Sequence, residues 1–228
     1  MNPANIVLSP SLICADLCNL EREVSILEKA GLHSLHVDLV DPHFSPSMPI
    51  GLDVVKQLKS RTNMDFDVHI MTDLNEYFID ELVKMHVASI TFHAEKELHI
   101  EKMLQKIREA GIRAGIALNP ATSLQSIEYA AQACDYVLLM LINPGYAGGK
   151  SEAMVSYAEK KVRACRDFLD RNHPDAKIIV DGRVGFETIP QLVKAGAEIL
   201  VGGTSSIFRQ GHSYQENVAA LHDLIDSI

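Results

Sequence analysis

In the apolar run SLHVDLV (34–40), His36 and Asp38 stand two residues apart. Side chains at that spacing on a strand point to one face. His69 lies near the end of FDVHIM (66–71), and Asp181 closes KIIVD (177–181). Buried strands are expected to be apolar throughout, so two imidazoles and two carboxylates in three of them call for a reason. Together they offer nitrogen and oxygen donors suited to Zn²⁺, Fe²⁺ or Mn²⁺. Taken singly, each histidine reads as a satisfied structural residue and each aspartate as a helix N-cap. All four are read as falling in the last residues of their strands, and that coincidence favours one shared site. His93, in TFHAE, is a fifth candidate, lining the pocket or orienting a ligand through an outer hydrogen bond. Four ligands already complete a shell, so His93 is kept outside it. His33, His43, His86, His99, His173, His212 and His222 fall in loops or helices and take no role.

Three glycine-rich turns suggest a second kind of chemistry. NPGYAGGK (143–150) carries Gly145, Gly148 and Gly149, DGRVG spans 181–185, and GGTSSIF spans 202–208. Glycines let backbone N–H groups close on an anion. The GK[ST] ending of a P-loop is absent at the required spacing. One such turn is ordinary, but three at the ends of consecutive strands point to phosphate.

These residues need elements to hold them. Eight short apolar runs recur: 6–12, 34–40, 66–71, 88–94, 113–118, 135–141, 177–181 and 198–203. Each has the length and the Val, Ile and Leu content of a strand buried on both faces. Between them lie helix-period segments such as NLEREVSILEKAG, ELHIEKMLQKIREAG and FETIPQLVKAG, each ending in Ala-Gly, a helix-closing signal. The stretch SEAMVSYAEKKVRACRDFLDRNH (151–173) also reads as helical. Eight strands, each followed by a helix, in 228 residues predict a single (β/α)8 TIM barrel spanning 1–228. An open doubly wound sheet is the alternative. In a barrel the four donors would ring the C-terminal mouth, and turns after strands seven and eight are the usual phosphate site.

Composition sets the limits. The chain is 47% hydrophobic and 22% charged, which builds a core and excludes a disordered protein. A net charge of −9 argues against nucleic acid or anionic lipid as partner. No apolar run approaches a bilayer span, and MNPANIVLSPSL lacks the basic start of a signal peptide, so a cytoplasmic protein is expected. Cys14, Cys18, Cys134 and Cys165 form no C-x-x-C pair and read as reduced thiols.

In order along the chain, SPSLICADL, HVDLVDPHF, DVHIM, ALNPATSL, NPGYAGG, VDGRV and GTSSIF resemble the ribulose-phosphate 3-epimerase family. The resemblance runs from Ser9 to Phe208. It implies a barrel that inverts C3 of a ketose phosphate with one divalent metal, zinc first, with iron, manganese or cobalt as alternatives. It also implies a homo-oligomer. Carried over by position, His36, Asp38, His69 and Asp181 match the metal ligands, and Asp38 and Asp181 the acid/base pair. Ser11 and His69 match contacts to the sugar. Gly145, Tyr146, Ala147 and Gly148, with Gly182, Arg183, Gly203, Thr204 and Ser205, match the phosphate cradle, and Met71 and Met140 the thioether caps.

Several positions depart from that pattern. Pro42 stands for the usual Gly, Val40 for a capping Met, and Ser47 and Met48 for the usual Asn and its neighbour. Gly149, Lys150 and Ser151 replace the usual Gln and the residues after it, and Arg183 replaces a Gly. Arg183 either adds a charge-assisted contact to phosphate or fills the subsite. The expected substrate is a pentulose 5-phosphate. GGTSSIF, SPSLICADL and Ala147 are also similar to the D-allulose 6-phosphate branch, which is the alternative. A lyase related to orotidine-phosphate decarboxylase or hexulose-phosphate synthase would want a Lys in HVDLVD, which has none. A non-catalytic sugar-phosphate binder is the third reading.

Overall fold

A computed structural model describes residues 6–144 and 152–228. Its eight parallel strands are β1 (Val7–Pro10), β2 (Ser34–Val40), β3 (Asp65–Met71), β4 (Ser89–His93), β5 (Arg113–Leu118), β6 (Tyr136–Met140), β7 (Lys177–Asp181) and β8 (Ile199–Gly202). They form one sheet in the order β1-β8-β7-β6-β5-β4-β3-β2. Each neighbouring pair from β2 round to β1 forms a parallel ladder, while β1 meets β2 through an isolated bridge, Ser11 to His36. Two hydroxyl contacts cross the same seam: Ser9 Oγ to Ser34 Oγ at 3.0 Å and Ser11 Oγ to Asp38 Oδ2 at 2.9 Å. The sheet is thus a nearly closed (β/α)8 barrel.

Around it pack α1 (Leu20–Lys29), α2 (Leu52–Lys59), α3 (Asn75–Met85), α4 (Ile100–Glu109), α5 (Ala158–Asn172), α6 (Ile189–Ala195) and α7 (Tyr214–Asp226). Gly31, Gly111 and Gly196 have positive φ, so the three Ala-Gly signals do close helices with a left-handed residue. Two expectations change. The unit after β5 has no α-helix, because Leu124–Ile127 and Ala130–Ala133 are short 3-10 turns that still bury Ile127 and Ala131 on the barrel. The helical reading of 151–173 is also too long: α5 starts at Ala158, and 152–157 are irregular or turn. No helix among the described residues is long and apolar enough to cross a membrane.

The strand period divides the core. On β6 and β7, Val137, Leu139, Ile178 and Val180 pack with the helices, while Leu138, Met140 and Ile179 form a separate apolar cluster. β2 to β4 carry buried polar side chains at alternate positions instead: His36 and Asp38, Asp67 and His69, then Ser89, Thr91 and His93. One half of the barrel lumen is therefore packed with hydrocarbon and the other with hydrogen-bonding groups.

The first and last helices are joined by a part-buried pair. Tyr214 donates to Glu23 Oε2 at 2.5 Å, and Arg22 Nη2 lies 3.0 Å from Glu23 Oε1. Glu23 is buried, so losing a donor leaves charge under-solvated. Tyr214→Phe is expected to destabilise the protein by roughly 1.5 kcal/mol. In a chain of this size that lowers Tm by roughly 4 °C, readable by calorimetry.

Candidate metal centre and active site

His36, Asp38, His69 and Asp181 converge, with one ligating atom from each lying within 4.8 Å of all the others. Strand register brings this about: Asp38 is paired with His69 across β2 and β3, and Asp181 ends β7. His36 differs from expectation, because it is the third residue of seven in β2 rather than near its end. It sits one pleat below Asp38 and reaches the cluster with its ring, Nε2 lying 3.4 Å from Asp38 Oδ1. His69 Nδ1 lies 3.3 Å from Asp38 Oδ1 and 3.9 Å from Asp181 Oδ2.

The hydrogen bonds leave donor atoms aimed inward. His36 Nδ1 lies 2.8 Å from Asp67 Oδ2, and Ser89 Oγ donates to Asp67 Oδ1 at 2.6 Å. With Nδ1 so engaged, His36 Nε2 is buried and has no hydrogen-bond partner. A buried polar atom left unpaired is costly, and a bound cation would relieve it. That orphan nitrogen, with a second imidazole and two carboxylates beside it, fits a divalent metal ion.

The two aspartates differ electrostatically. Burial pushes Asp38 up, but His36 and His69 beside it win and hold its carboxyl well below the usual range. Asp181 is raised to about 7, first by burial and then by the Asp38 charge. Burial also lowers His69 to about 4 against the pull of Asp38. His36 rises despite burial, because Asp38 and Asp67 favour its charged form. The surroundings thus separate the two carboxylates into one firmly ionised and one that titrates near neutrality.

One cavity opens over this cluster. Ser11, Asp38, Met71, Met140, Asp181, Gly182, Arg183, Gly203, Thr204 and Ser205 all line it. His36 and His69 do not reach it and are fully buried beneath. Gly145, Tyr146, Ala147 and Gly148 lie outside the described residues. Glu152 Oε1 accepts from both Asn143 N and Asn143 Nδ2, at 3.2 and 2.8 Å, and so ties together the residues flanking that segment. Arg183 adopts φ +56°, a conformation that favours glycine, and its Nε donates to Glu152 O at 2.7 Å. It shares the cavity wall with Gly203, Thr204 and Ser205.

Sequence reasoning missed Asp67, Glu95 and Cys14. Asp67 had a signal, since a carboxylate inside a buried strand, two residues before His69, is as anomalous as the histidine. Cys14 lines the cavity, and burial followed by Asp38 pushes its thiol up to about 11. Nothing local in SLICADL marks that thiol. Glu95 lies just beyond β4 and reads as an ordinary surface acid, yet it contacts His93 and the turn after β5.

Fold and cluster define a (β/α)8 barrel with a His/Asp cluster in its lumen that could hold a metal ion. The Ribulose-phosphate 3 epimerase family matches residues 7–208, and the chain belongs to that family. It is 36% identical over 200 residues to the ribulose-phosphate 3-epimerase of Bacillus subtilis, covering 88% of this chain and 91% of that one. It is also 36% identical over 203 residues to the Methanocaldococcus jannaschii ribulose-phosphate 3-epimerase, covering 89% and 84%. Among solved structures, the orotidine 5'-phosphate decarboxylase of Pyrococcus horikoshii OT3 superposes with a TM-score of 0.68 over 97% of this chain and 100% of that one. At 14% identity, that likeness is one of fold alone.

Proposed function

We propose that this protein is a metal-dependent ketose-phosphate 3-epimerase that interconverts D-ribulose 5-phosphate and D-xylulose 5-phosphate. The observation that carries the reading is the four-donor cluster, with its unpaired His36 Nε2, beneath a cavity walled by the β7 and β8 turns. The relatives' names favour the pentulose phosphate over D-allulose 6-phosphate.

His36, Asp38, His69 and Asp181 would hold the ion. When bound, the ion would supply positive charge that makes the C3 proton more acidic. Zinc heads the candidates, since nitrogen and carboxylate donors in a buried cluster suit it. Asp38 and Asp181 then act as acid and base. One removes the C3 proton to give an enediolate, and the other returns a proton to the opposite face. Ser11 donates to Asp38 Oδ2 and so holds that carboxylate's orientation. Gly182, Gly203, Thr204 and Ser205, with the Arg183 side chain, grip the phosphate and fix C3 between the two bases, and the resemblance adds residues 145–148 to that grip. Met71 and Met140 cover the reacting carbon with apolar surface and limit water access.

The same reading takes 1–228 as one domain and, on the family resemblance, a homo-oligomer. The free thiols of Cys14, Cys18, Cys134 and Cys165 support a reducing, cytoplasmic setting. Incubation with ribulose 5-phosphate in D₂O tests the reaction. Deuterium should enter C3 with xylulose 5-phosphate formed, and allulose 6-phosphate should exchange more slowly. Absence of exchange into either sugar at full metal occupancy would overturn the proposal.

A further inference from the structure

The turn Asn119–Thr122 after β5 belongs to the ALNPATSL motif, yet none of its side chains lines the cavity over the cluster. Its partner is Glu95. Asn119 N donates to Glu95 Oε1 at 2.7 Å, and the Thr122 hydroxyl donates to the same oxygen. Lys161 Nζ donates to the carbonyls of Asn119 and Pro120 at 2.6 and 2.8 Å, which pins the turn from α5. The second carboxylate oxygen, Glu95 Oε2, lies 3.1 Å from His93 Nδ1. On the far side of that ring, His93 Nε2 lies 2.9 Å from His69 Nε2. His69 then presents Nδ1 to Asp38 and Asp181.

We infer that Glu95 and His93 are positioning residues that fix the tautomer of His69, leaving its Nδ1 lone pair free for a cation. This rests on the metal-binding reading of the preceding subsection. A carboxylate oxygen already accepting two hydrogen bonds marks Glu95 as the ionised form, which can only accept. His93 Nδ1 therefore carries a proton. His93 is fully buried, with Phe44 4.7 Å away ring to ring, so a neutral ring is the form that avoids burying a second charge. Its Nε2 is then a lone pair, and the single proton of His69 goes to Nε2, whose contact with His93 at 2.9 Å is shorter than the 3.3 Å contact of Nδ1 with Asp38 Oδ1. Neutral imidazole with one nitrogen protonated must expose a lone pair at the other, which here is Nδ1. Asp67 does the same for His36 in one step, whereas Glu95 acts through an intervening ring. The two histidines thus reach the cluster through opposite ring nitrogens, His36 by Nε2 and His69 by Nδ1.

Three measurements decide it. In long-range ¹H–¹⁵N spectra of the metal-free wild-type protein, His69 should carry its proton on Nε2 and none on Nδ1. A His69 protonated at Nδ1 overturns the inference, whatever the protein does with metal. Zinc affinity, measured against a competing chelator, should weaken roughly 10- to 100-fold in Glu95→Ala and in His93→Leu. His93→Gln should recover most of the loss relative to His93→Leu, since an amide oxygen can accept from His69 Nε2, and a merely space-filling role would not separate these two. Zinc binding as tight as wild type in Glu95→Ala and His93→Leu also overturns it. A wild-type protein that binds no zinc would defeat the metal reading itself, and the tautomer spectrum would still decide this one.

Discussion

Asp181→Asn is expected to reduce interconversion of the two pentulose phosphates by roughly a thousandfold or more. Exchange of the C3 proton with D₂O should survive for one epimer only. The argument follows from having two carboxylates rather than one. Each is placed to serve one face of C3, so deleting one leaves the other able to remove and return a proton on its own side. Asp38→Asn should show the complementary pattern, with exchange confined to the opposite epimer. Asparagine keeps an oxygen donor, so metal content measured on both variants separates lost ligation from lost proton transfer. If both variants wash deuterium into the same epimer, the division of labour between Asp38 and Asp181 is wrong.

Removal of divalent ions should have the second-largest effect. A strong chelator is expected to bring epimerisation below detection, with Zn²⁺ restoring it. An ion held at a thousandfold above its Kd stabilises the folded chain by about 4 kcal/mol. For this size of protein that is a Tm rise of roughly 8–16 °C. The size of that rise depends on pH. In the cation-free cluster Asp181 is raised from 3.8 to about 7, so its folded-state preference is for the neutral acid. That contribution is complete below the unfolded value and is lost as pH climbs through about 7. A cation needs the carboxylate, and it also needs His36 without its extra proton. The zinc-induced Tm gain should therefore grow between roughly pH 6 and pH 8. A gain that shrinks over that interval would contradict the assignment of these residues as ligands.

The barrel was legible because its strands are buried on both faces and their apolar runs are continuous. Three of the eight, 34–40, 113–118 and 177–181, have the bounds of β2, β5 and β7 without adjustment. The four-donor cluster was legible for the opposite reason, since a histidine or aspartate within such a run stands out against Val and Ile. The unit after β5 misled because a βα rhythm predicts a helix there. NPATSLQSIEYAAQA spends its first residues on the turn that holds Glu95, and only two short 3-10 turns follow. His36 was placed too near the end of its strand, because alternation fixes the face of a side chain but not how deep in the lumen it lies. Glu95 escaped notice because its importance is a contact made 24 residues onward with a turn, and no local pattern encodes such pairings.

The ring of ladder hydrogen bonds is interrupted where β1 meets β2, and there the closure depends on the Ser11–His36 bridge and two serine hydroxyl contacts. His36 and Asp38 stand on one lip of that seam, and Ser11 on the other. The place where the barrel is most easily prised open is thus the wall of its own ion site. An ion held there would act as a rivet across the seam, so its loss and the opening of the first strand are expected to go together.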